Sequence, residues 1–238
     1  MNLENYKKLT QIGYKYDTDK SYFHLFTEFY HDYFTPWVDK EFYLLEIGIF
    51  NGSSLKMLHD FFPKAHIYAI DINEQSVYNY YGDRIHTFLC SQIDIEELQK
   101  VIGNKKFDII IEDGSHMTSH QQISLGFLFS YLNLGGIYVC EDIHTSFHPN
   151  YIDSKETTLD IFLRYQKTGI FENNLMKPSE VEYLQQNIKQ IEIYTKKQHA
   201  LKCYSCRKTN ENSKSNCDCG VVLDYNLDKS ITSIIFHK

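Results

Sequence analysis

The chain has 238 residues, 42% hydrophobic and 23% charged, with a net charge of −7. That is enough apolar material for one α/β domain with insertions, and an acidic balance with no basic stripe argues against a nucleic-acid binder. There is no run of about 18 apolar residues to span a membrane, and MNLENYKKLTQIGYKYDTDK lacks the apolar stretch of a signal peptide, so the expected setting is cytoplasmic and reducing, where disulfides are rare.

Residues 1–41 contain YFHLFTEFY, whose helical spacing predicts an N-terminal helical cap. FYLLEI (42–47) then reads as a strand, NGSSLKMLHDFF as a helix ended by Pro63, HIYAIDI (66–72) as a second strand and IHTFLC (85–90) as a third. IDIEELQKVIG carries a helical period that stops at Gly103. FDIIIED (107–113) is a strand, SHMTSHQQISLGFLFSYL a helix ended by Asn133 and Gly135-Gly136, and IYVCED (137–142) another strand. Residues 143–188 read as a substrate-side insertion, a polar loop followed by helical patterns at 155–166 and 178–188. QIEIY (190–194) and ITSIIFHK (231–238) read as an edge hairpin around a polar, Cys-rich insertion at 197–229. Short, fully apolar strands alternating with helices imply a parallel sheet covered on both faces. The expected fold is α/β and Rossmann-like over 42–238: a mostly parallel seven-stranded sheet with an antiparallel edge hairpin.

The first strand ends in Glu46-Ile47-Gly48-Ile49-Phe50-Asn51-Gly52. Glycines there let the backbone turn tightly and approach a ligand, with a helix N-terminus behind. E-x-G-x-x-x-G differs from the dinucleotide pattern G-x-G-x-x-G. Without a pyrophosphate to cradle, such a loop can carry an acidic residue, which suits a cationic amino-acid ligand. Asp71 ends the second strand, where an acidic residue accepts ribose hydroxyls. Glu46, Asp71, Ser91-Gln92, Asp113 and Glu141-Asp142 all fall at strand ends, the ligand edge of an open α/β sheet.

If the strands ending at Asp113 and at Glu141-Asp142 are neighbours, about 4.8 Å apart, three carboxylates converge. Uncompensated, they repel and raise one another's pKa. A hard divalent ion resolves this, and oxygen ligands favour Mg2+, Mn2+ or Ca2+ over zinc. His116 lies three residues beyond Asp113 at the mouth of the next helix, where Thr118 or Ser119 with Gln121 or Gln122 predicts a capping box. From there an imidazole can take a proton from a hydroxyl held beside the metal. Separately, Cys203-x2-Cys206-x10-Cys217-x-Cys219 offers four soft ligands, a candidate structural Zn2+ site. Cys90 and Cys140 read as small buried hydrophobes.

TDKSYFHLF (18–26), LLEIGIFNGSSL (44–55), AIDI (69–72), FDIIIEDGSH (107–116) and GGIYVCEDIHTSF (135–147) together resemble a known family, the metal-dependent sugar O-methyltransferases of macrolide biosynthesis, of the macrocin and mycinamicin type. The resemblance covers roughly residues 14–194 and the final strand. It implies S-adenosylmethionine as methyl donor, Mg2+ (or Mn2+) held by Asp113, Glu141 and Asp142, and His116 as general base. It also implies Asp19, Lys20 and His24 near cofactor and substrate, Asp71 on the ribose and Gln92 near the adenine. Ser91 stands where the family usually has an acidic residue, and HTSF where a Tyr commonly closes the motif. The implied partner is a small-molecule hydroxyl acceptor, a sugar by resemblance alone, with no nucleic acid and no membrane; a homo-oligomer is compatible with this reading. A catechol or other small alcohol would need the same metal arrangement. A nicotinamide-dependent dehydrogenase is disfavoured by the missing G-x-G-x-x-G. A non-catalytic binding module with a zinc-stabilised loop is disfavoured by the intact acidic set.

Overall fold

In the computed structural model, residues 3–78, 82–196, 201–203, 205–206, 208–210, 216–221 and 231–237 are described. In chain order, α1 (Leu3–Tyr16), α2 (Asp19–Tyr22) and α3 (Thr27–Phe34) lead into β1 (Phe42–Ile47), α4 (Ser53–Phe61), β2 (Ala65–Asp71), α5 (Glu74–Val77) and β3 (Ile85–Leu89). α6 (Ile95–Ile102), β4 (Phe107–Glu112), α7 (Thr118–Leu128) and β5 (Leu132–Cys140) follow. α8 (Thr158–Thr168), α9 (Pro178–Asn187) and β6 (Ile188–Thr195) come next, then the short β7 (Leu201–Lys202) and β8 (Thr209–Asn210), and finally β9 (Ile231–His237). The main sheet has the order β3-β2-β1-β4-β5-β9-β6. β1 to β5 pair in parallel, and β9 runs antiparallel between β5 and β6. This is the mostly parallel, seven-stranded Rossmann-like sheet with an antiparallel edge hairpin that the sequence predicts. No helix among the described residues is long and apolar enough to cross a membrane.

Side chains alternate across a strand, so a strand buried on both faces must be apolar throughout. Leu45, Ile47, Ile70, Ile110, Tyr138 and Cys140 pack on one face with apolar residues of α6, α7, α8 and α9. Leu44, Ile67, Ala69, Ile109, Ile111, Ile137, Val139 and Ile234 pack on the other with Leu9, Phe26, Tyr30 and Phe34 of the N-terminal segment and Leu55, Leu58 and Phe61 of α4. The N-terminal helices thus share one apolar core with the sheet.

Several local expectations change. YFHLFTEFY is not one helix: α2 ends at Tyr22, Leu25 takes a left-handed φ of 58°, and α3 starts at Thr27. The break turns His24 out of the helix and towards the strand tips. β5 begins at Leu132, so Asn133 and the glycine pair lie in the strand rather than ending the helix. Pairing with β4 shifts register between Phe107 and Ile109. A Cβ at Gly136 would stand 2.8 Å from the Asp108 carbonyl oxygen, so the bulge demands glycine where the sequence predicts the end of a helix. The 197–229 insertion lies partly outside the described residues; within it, β7 and β8 form a small antiparallel pair.

The capping box of α7 is absent, and no side chain of its N-cap, Met117, makes a cap bond. Asp153 supplies the cap from the following loop. It accepts from Ser119 N at 2.8 Å, Ser119 Oγ at 2.5 Å and Thr118 Oγ1 at 3.1 Å. Burial pushes its carboxyl up, but these donors outweigh burial and hold it below the usual carboxylate range. A depressed pKa contributes stability above the unfolded value, lost as pH falls through the folded one. Asp153→Ala is expected to cost about 1 kcal/mol at pH 7, with the difference from wild type shrinking once the pH falls below the normal Asp range. Denaturant unfolding at a series of pH values checks both the size and the sign.

Candidate active site

The parallel register sets the heights of the strand tips. Ile47 pairs with Ile70 and with Glu112, and Glu112 with Cys140. One residue further come Gly48, Asp71, Asp113 and Glu141, all at the carboxyl edge. The ladder continues into them, with Gly48 N donating to Ile70 O at 2.9 Å, Asp113 N to Ile47 O at 3.0 Å and Glu141 N to Glu112 O at 2.9 Å. Gly48 has φ +94°, and a Cβ there would lie 2.0 Å from the Asp113 carbonyl oxygen. No side chain fits where these two tips meet.

Beyond Gly48 the loop is held by Asp71. Its Oδ2 accepts from Ile49 N at 2.8 Å and Phe50 N at 3.0 Å, and its Oδ1 from Asn73 N at 2.8 Å. A cavity of about 330 Å³ is walled by this loop, Asp71, residues 17–20, Asp113, His116 and Asp142. A second of about 140 Å³, walled by Ile70, Ile72, Cys90, Ser91, Gln92 and His120, shares Gly48, Asp71 and Gly114 with it. The larger volume is at the lower end of small-molecule sites, about 300–1,000 Å³. Among the expected cofactor residues, Gly48, Asp71, Lys20, Ser91 and Gln92 line one or both cavities. Gly52 instead caps α4 with φ 74°. Glu46 sits behind the wall, where its Oε1 accepts from Ser54 Oγ at 2.5 Å and its Oε2 is buried without a partner. Burial pushes the Glu46 carboxyl up to about 7, against the pull of Lys20. Gln92 is buried, donating to Glu112 at 2.8 Å and accepting from Ser115 N at 2.8 Å.

Strand alternation puts Glu46, Asp113 and Glu141 on the face covered by the N-terminal helices, and Glu112 on the other. Lys20, in α2 and 1% exposed, reaches into that group. Its ammonium donates to Asp113 and to Glu141, the latter at 2.7 Å, and stands 3.9 Å from Glu46. Tyr30 OH donates to the other oxygen of Glu141. Burial would strip the lysine's proton, but the carboxylates of Asp113, Glu141 and Glu46 hold it charged, well above the usual range. Burial and the neighbouring Asp113 push the Glu141 carboxyl well up, and burial and Asp142 also raise Asp113 against Lys20. One ammonium does not balance this many carboxylates.

Asp142 lies on the far side of Asp113 with a left-handed φ of 52°. Three imidazoles face it: His24 Nδ1 at 3.5 Å, His144 Nδ1 at 3.7 Å and His116 Nε2 at 3.7 Å. Burial would raise its pKa, but these imidazoles outweigh it and hold Asp142 below the usual range. His116, also left-handed at φ 60°, is pulled down by burial and more strongly up by Asp142, Asp113 and Glu112. His144 falls to about 4, mainly through burial. Ligand atoms of Asp113, His116 and Asp142 lie within 4.8 Å of one another. Buried Asp142 Oδ1 and His116 Nδ1 have no hydrogen-bond partner. Glu141 is outside this group, and its two oxygens accept from Lys20 and Tyr30. The four cysteines form the other such group among the described residues.

Sequence reading missed Tyr30, Glu112 and His144. Tyr30 lies in an aromatic stretch that reads as core, and Glu112 was overshadowed by Asp113. His144 stands two residues after Asp142, a spacing that could have flagged it.

No family model matches the chain. It is 34% identical over 152 residues to the mycinamicin VI 2''-O-methyltransferase of Micromonospora griseorubida, covering 60% of this chain and 38% of that protein. To the demethylmacrocin O-methyltransferase of Streptomyces fradiae it is 35% identical over 154 residues, covering 60% and 38%. The structure of MycE methyltransferase from the mycinamycin biosynthetic pathway, in complex with Mg, SAH and mycinamycin VI, superposes with a TM-score of 0.67 at 30% identity, covering 79% of this chain and 52% of that one. The chain therefore spans 38% of the length of these two curated relatives. Both are O-methyltransferases, of the macrocin and mycinamicin type that the sequence motifs resemble.

Lys20→Met is expected to destabilise the protein by about 3–5 kcal/mol, because it leaves buried carboxylates unpaired. Adding Glu141→Gln should recover part of that loss. Denaturant unfolding of both single variants and the double variant measures the coupling; additive effects would contradict the pairing.

Proposed function

We propose that this chain is an S-adenosylmethionine-dependent O-methyltransferase that methylates a hydroxyl of a sugar or glycosylated small molecule beside a divalent cation, Mg2+ or Mn2+. The observation that carries the reading is a single cavity walled both by the glycine loop with Asp71 and by Asp113, His116 and Asp142. The first wall suits a nucleoside with an amino-acid tail, and the second suits a cation and a hydroxyl. Similarity to glycoside O-methyltransferases supports the acceptor class.

The donor set fits a hard cation. It is made of the carboxylate oxygens of Asp113 and Asp142 with the His116 imidazole beside them, and Asp142 Oδ1 is buried without a hydrogen-bond partner. Asp113 and Asp142 would hold it. The ligand role that the resemblance implies for Glu141 requires Lys20 to yield its place. When bound, such a cation orients the acceptor hydroxyl and lowers its pKa.

The chain's own residues supply the rest. Ile49 and Phe50, tied to Asp71, set the loop against the nucleoside. Asp71 has three of its roughly four acceptor positions taken by backbone donors, which leaves room for one ribose hydroxyl. His116 is the base that removes the acceptor proton at an imidazole nitrogen. Asp142 and Asp113 favour its protonated form, so they stabilise the charge that develops there. The oxygen would then attack the sulfonium methyl carbon in line, forming the C–O bond as the C–S bond breaks and S-adenosylhomocysteine leaves, with positioning supplying most of the acceleration.

His116→Ala should lower turnover by about 10²–10⁴-fold, the usual worth of general base catalysis, with S-adenosylmethionine affinity by isothermal titration unchanged. Gly48→Ala should abolish that affinity. The test is a screen of glycosides and nucleotide sugars for methyl acceptance with and without Mg2+. No S-adenosylmethionine binding, or full activity in His116→Ala, would overturn the reading.

A further inference from the structure

We propose that Cys203, Cys206, Cys217 and Cys219 form a tetrahedral zinc site that ties down the excursion between β6 and β9. This site is separate from the methyl-transfer reading and does not depend on it. The four sulfurs lie within 4.8 Å of one another. Cys203 and Cys219 approach to 3.5 Å, and Cys206 and Cys217 to 3.4 Å. These are not disulfide distances, which are about 2.05 Å. Four thiolates about 2.3 Å from one zinc ion stand about 3.8 Å apart at tetrahedral corners; the two close pairs are a few tenths of an ångström tighter, and every pair lies within 4.8 Å.

The backbone around the sulfurs has the form such a site needs. Cys203 and Cys206 lie in the connection between β7 and β8, where Leu201 pairs with Asn210 and Lys202 with Thr209. Cys203 N donates to Lys208 O at 2.9 Å, closing that connection. The second pair sits in its own tight turn, with Cys217 N bonded to Val221 O and Gly220 N to Cys217 O, both at 2.8 Å.

Beyond these backbone bonds, Lys208 and Asp218 form an exposed ion pair at 2.5 Å, and such a pair contributes little. The unit's apolar cluster is Cys203 and Cys217 with Val221 packed against them, far too little to order it. Thr195 pairs with Ile231 at the base of the hairpin, so the strands are joined by a very long connection. Closing such a connection is entropically costly, and a cross-link from Cys203 to Cys219 removes much of its freedom. Its stems stand at the active-site edge: Lys196 Nζ lies over the Phe23 ring at 5.1 Å, and Ile231 N faces His144 Nδ1 at 3.4 Å.

The chemistry selects zinc over the hard ion expected at the strand tips. Four thiolates favour a soft or borderline metal, and tetrahedral S4 is the geometry of zinc or iron–sulfur centres. The test is elemental analysis of full-length protein purified under reducing conditions. The expected result is about one zinc per chain, falling at least fivefold in a Cys206→Ser/Cys219→Ser variant and unchanged in Asp113→Asn. Cobalt substitution should give the visible bands of a tetrahedral thiolate complex. Chelation should expose 197–229 to limited proteolysis while residues 42–195 stay intact, which separates loss of the site from global unfolding. Zinc absent with four titratable thiols in the segment, iron in its place, two disulfides, or zinc unchanged in the double variant would each overturn the proposal.

Discussion

A buried ammonium among carboxylates organises this molecule. Register and strand alternation place Glu46, Asp113 and Glu141 on the same side of three neighbouring tips, under the N-terminal helices. Taking such charges out of water costs several kcal/mol each unless they are paired. Lys20 answers part of that demand, and α2 exists where it does to deliver it. The remainder surfaces as raised pKa values on Asp113 and Glu141. A cluster that would otherwise bind a proton suits the cation proposed above, since proton and cation compete for the same oxygens. The imidazoles around Asp142 extend this balance to the open side of the cavity.

The backbone is bent to achieve the arrangement. Asp17, Leu25, Phe50, His116 and Asp142 all take left-handed φ without being glycine. Four of them line the cavity, and Leu25 follows His24. Such conformations cost about 1–3 kcal/mol each and gather at functional sites. The offset comes from the two apolar layers, whose strands are buried on both faces. Rigid strands and strained tips are therefore complementary: the sheet fixes the height of each tip, and the left-handed backbone at His116 and Asp142 brings their side chains together.

Much of this was legible in the sequence, for physical reasons. Continuous apolar runs such as FDIIIE and the following helical periods announced a parallel sheet, because both faces of each strand must be covered. The residue just past each run then had to lie at the ligand edge, which named Gly48, Asp71, Asp113 and Glu141. What escaped depended on contacts across the fold. Lys20 was expected near the cofactor, but nothing in one sequence shows that its ammonium lies between Asp113 and Glu141. The Asp153 cap on α7 comes from residues 34 positions away, beyond any local capping pattern. The break at Leu25 and the bulge at Gly136 require backbone geometries that periodicity does not encode.

The central claim is that the strand-tip carboxylates hold a hard divalent cation. Mn2+ binding followed by electron paramagnetic resonance tests it without any acceptor. The account predicts one bound ion per chain at the tips, lost in Asp113→Asn and in Asp142→Asn and kept in Cys206→Ser/Cys219→Ser. Protein that binds no Mn2+, or binds it equally well after both aspartates are replaced, would contradict it.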